Sequence, residues 1–180
     1  MDALLKEDQM YTIEDIYHLP DGRRAELIDG RIYNMAPPSW THQRISGELY
    51  YEIKTYIKEN NGNCQVLAAP FAVFLNDADQ KNYLEPDLTV ICDSSKLDEK
   101  GCHGAPDWVI EIVSPTSRPR DYIKKMMKYA AAGVREYWIV DPEKAQVMAY
   151  QFDCEIVEQY AFGEEVPVGI FEGFSIKVEL

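Results

Sequence analysis

No stretch of this 180-residue sequence approaches the roughly 20 consecutive apolar residues that cross a bilayer, so no membrane span is expected. The cysteines are few and irregular. Cys64, Cys92, Cys102 and Cys154 form no Cys-x-x-Cys pair and no secreted-scaffold spacing, and four reduced thiols are the expectation. Cys102-His103 near Cys92 offers one histidine at loose spacing, too little for a zinc site. The first ten residues include Asp2, Lys6, Glu7 and Asp8 without an apolar run and cleavage site, so no secretory signal is expected and a cytoplasmic location is. Positive charge is scarce too: 18 Lys and Arg stand against 31 Asp and Glu, a formal charge of −13. Affinity for phosphate backbones comes largely from lysine and arginine displacing counterions, so any nucleic acid must meet a local basic face. Repeats and linkers are absent. Apolar residues at 46% and charged residues at 27% exclude a disordered or collagen-like chain, and the length suits one core, a single domain over residues 1–180.

What is present is an interleaving of helical and strand signals. Thr12 with Glu14 and Asp15 starts a short helix that Pro20-Asp21-Gly22 ends. Residues 24–28 and 31–35 flank Asp29-Gly30, a dipeptide suited to a two-residue hairpin turn, so Glu26 lies on a strand beside a tight turn. Ile45, Leu49, Ile53 and Ile57 recur every four residues on one face of a helix closed by Asn60-Asn61-Gly62. Residues 66–68 and 71–75 read as strands around Pro70, and Asp87 stands at the entrance to another over 88–92. Residues 96–104 are polar and glycine-containing, a surface excursion. Residues 108–113 form an apolar strand interrupted by Glu111; Asp121 caps the next helix, and Gly133 closes it. Strands over 137–140, 147–152, 156–160 and 175–179 complete a mixed α/β (α+β) fold, a central mixed sheet flanked by helices with antiparallel hairpins.

Three acids and one basic stretch carry the chemistry. Glu111 sits among residues that favour burial, where an ionised carboxylate is costly unless paired or bound to a metal. Asp87 follows Pro86 at a strand entrance, and the two acids together suit a hard cation such as magnesium. Glu26 is available as a third. Between Arg118 and Arg135 lie Arg120, Lys124, Lys125 and Lys128, with Asp121 the one acid among them. Lys124 and Lys128 share a helix face, whereas Lys125 lies about 100° away, so one helix cannot aim all three alike. Each acid also has a plain structural role open to it: an ion pair for Glu111, a loop cap for Asp87, a cross-hairpin contact for Glu26. His42 is either a helix-start surface group or a proton carrier, its ordinary pKa of about 6.5 suiting the latter.

The segments Glu26-Leu27-Ile28-Asp29-Gly30, Pro86-Asp87-Leu88, Glu111-Ile112-Val113-Ser114-Pro115, Asp121 through Lys125, and Tyr129 to Trp138 together resemble the Uma-two family of restriction-endonuclease-like proteins. The resemblance implies a PD-(D/E)XK core and metal-dependent cleavage of nucleic acid, DNA before RNA, with Mg2+ or Mn2+ as cofactor. It implies that Asp87 is the aspartate of the Pro-Asp element, that Glu111 is the acid of the (D/E)XK element, and that Glu26 is a third metal ligand, with His42 beside the site. The position two after Glu111 is Val113 rather than lysine, so the resemblance implies a lysine migrated to the following helix, at Lys125. A homodimer is a further expectation, since duplex DNA offers two strands. The alternatives are a nuclease-fold protein that serves as a binding or assembly module, and a carbohydrate hydrolase using Glu26 and Glu111 as an acid and base pair, which would need a groove of exposed aromatic residues.

Overall fold

A computed structural model of the chain describes residues 9–76, 78, 80–115, 117 and 120–180. Readings that fell on residues 1–8, on Thr116 and on Arg118 lie outside the described residues. Helix α1 (Ile13–Tyr17) starts where the Thr12 amide and hydroxyl both donate to Asp15 Oδ2, at 2.7 and 3.0 Å. Strands β1 (Ala25–Ile28) and β2 (Arg31–Asn34) form the expected hairpin. Its two turn residues, Asp29 at φ 52° and Gly30 at φ 72°, are both left-handed, as the tightest hairpin turn demands. Helix α2 (Trp40–Glu59) is capped by Ser39 Oγ, which accepts from the His42 amide, and buries Ile45, Leu49, Ile53 and Ile57.

After α2 come β3 (Gln65–Ala68), β4 (Val73–Phe74), β5 (Leu88–Ile91), β6 (Leu97–Asp98), β7 (Gly101–His103) and β8 (Trp108–Ile112). A π-helical segment, Arg120–Lys125, then runs into α3 (Met126–Ala132). The chain continues through β9 (Glu136–Asp141), β10 (Gln146–Gln151), β11 (Ile156–Ala161), β12 (Glu165–Pro167) and β13 (Ser175–Lys177). The central sheet has the order β11-β10-β9-β8-β5-β3. Its β8–β9 pair is parallel and bridged by the helix between them; its other pairs are antiparallel, which makes the sheet mixed.

Alternation along the strands divides the core in two. Trp108, Ile110, Trp138 and Val140 face α2 and its four apolar residues, and Trp108 meets Trp138 edge-on at 4.7 Å. Val109, Val113, Tyr137 and Ile139 face the opposite way, toward Tyr129 and Val134 of the α3 side. Position 111 therefore belongs to the α3 face.

Four expectations need correction. Residues 96–104 are a paired β6–β7 unit rather than a surface excursion, with β7 parallel to β4 and Cys102 fully buried. Glycine misled there because Gly101 is required for close approach, a Cβ at that position lying 2.3 Å from the Ala72 carbonyl oxygen. Asp121 lies inside the π-helical segment and is buried, so it is not a helix cap. The strand expected over 71–75 is confined to β4, and β12 was not foreseen. Finally, Cys64 and Cys92 are joined as a disulfide, while Cys102 and Cys154 are free. The β3–β5 register, Gln65 against Ile91, brings the two cysteines face to face, a proximity that 28 residues of separation conceal.

Ile53 is completely buried between α2 and the sheet. Ile53→Ala should lower the unfolding free energy by about 2–5 kcal/mol, whereas Ile156→Ala on the exposed edge strand should change it by within about 0.5 kcal/mol. Urea denaturation followed by tryptophan fluorescence distinguishes the two.

Candidate functional site

The sheet sets the acids. Continued by one residue, the antiparallel β5–β8 register of Leu88 against Ile110 lays Asp87 opposite Glu111, both on the α3 face. The Asp87 carboxylate is fixed there: Oδ2 accepts from the Ile112 amide at 2.7 Å, and Oδ1 lies 3.0 Å from His42 Nε2 at the start of α2. Glu26 enters from β1, where Leu27 bridges to Tyr83, and its Oε1 accepts from the Glu85 amide at 3.1 Å. Beside it, Glu85 receives hydrogen bonds from Arg24 and from the Tyr83 hydroxyl.

The π-helical segment delivers the cation. Lys125 Nζ lies 2.8 Å from Glu26 Oε1, 2.8 Å from Glu111 Oε1 and 3.5 Å from Asp121 Oδ1, with all four side chains buried. The Tyr129 hydroxyl donates to the same Glu111 oxygen at 2.9 Å. Among the described residues, three atoms of this cluster are buried without a hydrogen-bond partner, Glu26 Oε2, Asp121 Oδ1 and Arg120 Nε, and so is Nδ1 of the neighbouring His42. The guanidinium nitrogen stands 3.8 Å from the first and 3.7 Å from the second, ion-pair rather than hydrogen-bond distances.

Electrostatics follow from this crowding. Burial pushes the Glu111 carboxyl well above its ordinary range, opposed by the Lys125 charge and reinforced by Asp121, Glu26 and Asp87. Burial alone would lower Lys125, but Glu111, Glu26 and Asp121 outweigh it and hold the ammonium charged. His42 is similar in kind: burial acts to lower it, and the hydrogen bond and charge of Asp87 raise it above its ordinary 6.5.

The structure thus brings Glu26, Glu111 and Lys125 into direct contact and sets Asp87 and His42 alongside. Lys124 and Lys128 point elsewhere, to the Tyr33 hydroxyl at 2.7 Å and to Asp29. Arg135 pairs with Asp107 and Asp153. The expected basic face is therefore largely engaged by protein groups. Asp121 is the member that sequence reasoning placed wrongly; its spacing of four from Lys125 was the available signal.

A cavity of about 740 Å³ opens over these groups, lined among others by Pro38, His42, Asp87, Glu111, Ser114 and Arg120. No Phe, Tyr or Trp lines it among the described residues. A carbohydrate groove needs such platforms, and one lysine binds both acids that would have to act as acid and base, so that reading falls away.

For a divalent metal the donor chemistry fits: the hard carboxylate oxygens of Glu26, Asp87 and Glu111, of which Glu26 Oε2 is buried and unpartnered. Their present placement is closed around a protein cation, and among the described residues no three His, Cys, Asp or Glu groups are arranged to hold a metal ion.

Comparison with known proteins gives three findings. A family described as "Putative restriction endonuclease", Uma2, matches residues 12–179. A crystal structure described as a putative nuclease belonging to DUF820, from Anabaena variabilis, superposes with a TM-score of 0.74 at 23% identity, covering 92% of this chain and 94% of that one. An uncharacterised Synechocystis protein, slr1290, is 25% identical over 128 residues, 71% of this chain and 65% of its own length.

Two outcomes follow from the geometry. Lys125→Met leaves buried carboxylates without their cation and should destabilise the fold by about 3–5 kcal/mol in urea unfolding. Because His42 is raised in the folded state, the stability from its pairing is complete below the unfolded pKa and is lost as pH rises through the folded one. Asp87→Asn should accordingly lose more stability at about pH 6 than at about pH 8; an equal loss at both would show that the imidazolium contributes nothing.

Proposed function

The chain belongs to the Uma2 family, described as putative restriction endonucleases, and we propose on that footing that it is a metal-dependent endonuclease hydrolysing phosphodiester bonds of DNA. The observation that carries this reading is the meeting of Glu26 and Glu111 on the Lys125 ammonium, beside Asp87, at the floor of an open cavity. Buried carboxylates around one cation cost stability that an all-apolar cluster would not, which is the mark of a site kept for chemistry.

In this reading Asp87 and Glu111, with Glu26, would hold Mg2+ or Mn2+. When bound, the ion supplies Lewis acidity toward a phosphoryl oxygen and acidifies a water. Lys125 then offers its ammonium to the negative charge that develops on the phosphate. His42 holds a proton toward Asp87 Oδ1 and fixes that carboxylate's rotamer. Arg24 and Arg120 line the cavity and can contact phosphates, and walls without aromatic rings favour the backbone over stacked bases. The whole chain would act as one such domain, as a homodimer on duplex DNA. Among the described residues no helix is long and apolar enough to cross a membrane. A cytoplasmic setting belongs to the same reading, and there the Cys64–Cys92 bond would be open to reduction.

The test is nicking of supercoiled plasmid with millimolar Mg2+ or Mn2+. Wild type should relax it, while Asp87→Asn and Glu111→Gln should each lose at least about a hundredfold in rate, the scale set by removing a major electrostatic group. Full activity in either variant defeats the assignment. Light scattering that gives a monomer removes the dimer.

A second reading has an observation in its favour. Lys125 already compensates the acids, and the net charge of −13 opposes DNA, as suits a nuclease-fold protein serving as a binding or assembly module. No change in melting temperature with millimolar Mg2+ or Mn2+, together with no nicking, would favour that module over the enzyme.

A further inference from the structure

Lys125 stands where a metal held by Glu26 and Glu111 would need ligand oxygens turned toward itself. Its ammonium is within 2.8 Å of an oxygen of each acid, and it is almost wholly enclosed. A dication and an ammonium cannot share those two oxygens at contact distance, because their repulsion in a poorly solvated site is severe. A metal that takes those two oxygens therefore displaces the ammonium. One acceptor is in place. Asp121, four residues earlier on the same π-helical segment, is buried, lies 3.5 Å from Nζ, and keeps Oδ1 without a hydrogen-bond partner. A small rotation of the lysine's terminal torsions would close that gap.

We propose that Lys125 is the resident cation of the acid cluster, exchanged for a divalent metal on loading, and that Asp121 is a positioning residue that receives the displaced ammonium. This rests on the metal-dependent reading and deepens it. The site has two arrangements. In one the lysine partly compensates Glu26 and Glu111, so the protein folds without metal. In the other the metal neutralises them, and the lysine, drawn onto Asp121, is held at the cavity floor for the substrate phosphate. Arg120 assists the exchange from one side, its guanidinium already spanning Glu26 Oε2 and Asp121 Oδ1.

The experiment is a double-mutant cycle read by calorimetric titration of the full chain with MnCl2, on wild type, Lys125→Met, Asp121→Asn and the double variant. Lys125→Met should bind Mn2+ at least about tenfold more tightly than wild type, because the competing cation is gone. Asp121→Asn should bind more weakly than wild type, and that loss should vanish in the Lys125→Met background, since Asp121 acts through the lysine. Equal Mn2+ affinity in wild type and Lys125→Met overturns the exchange. An Asp121→Asn loss that persists without the lysine makes Asp121 a direct ligand or a bulk charge and overturns its positioning role.

Should Lys125→Met fail to fold, Lys125→Arg keeps the charge. Its forked group pairs more firmly with carboxylates, so Mn2+ affinity should fall; unchanged or tighter binding overturns the exchange. If no protein binds Mn2+ at all, the metal-dependent reading itself fails, an outcome distinct from binding that ignores Lys125.

Discussion

A single buried ammonium holds the site together. Lys125 compensates Glu26 and Glu111 at hydrogen-bond distance and Asp121 slightly further away, in surroundings where unpaired charge is prohibitive. The three acids come from three separate parts of the chain: a hairpin, a central strand and a helical segment. Without the lysine their repulsion would act directly against the packing of β1 and the π-helical segment onto the sheet. The same contacts that compensate the buried charge therefore define the cavity floor.

The architecture makes that convergence possible through two simple periodicities. Alternation along β8 turns Glu111 away from the α2 core and toward α3, and antiparallel register carries Asp87 to the same face. The helical crossover between parallel β8 and β9 then passes directly over this face and lowers Lys125 onto it. Lys124 and Lys128, on a different side of that helix, secure it to the hairpin through Tyr33 and Asp29. Fold and site are thus joined by one short segment, whose π-helical turn is a form often found where function disturbs a regular helix.

Much of this was legible in the sequence. The hairpin around Asp29-Gly30, the four-residue apolar spacing of α2 and the strand around Glu111 follow from turn chemistry and periodicity alone, and the structure has all three. What escaped was long-range. The Cys64–Cys92 pairing and the burial of Cys102 depend on strand register, which no local pattern reveals. Asp121 was taken for a cap because its type suits one; only the tertiary fold turns it inward. The basic stretch read as a surface for phosphates because its acidic partners, Asp29, Asp107 and Asp153, lie far from it in sequence or follow it. Family membership and fold were recognisable from the ordered set of short segments.

The claim at the centre of this account is that Asp87 and Glu111, with Glu26, share one divalent cation. Anomalous diffraction from a crystal soaked in manganese tests it most directly. The account predicts a single strong peak between the Asp87 and Glu111 carboxylates, with the Lys125 ammonium moved off Glu111. Density with the lysine still seated on both glutamates and no peak near Asp87 would contradict it.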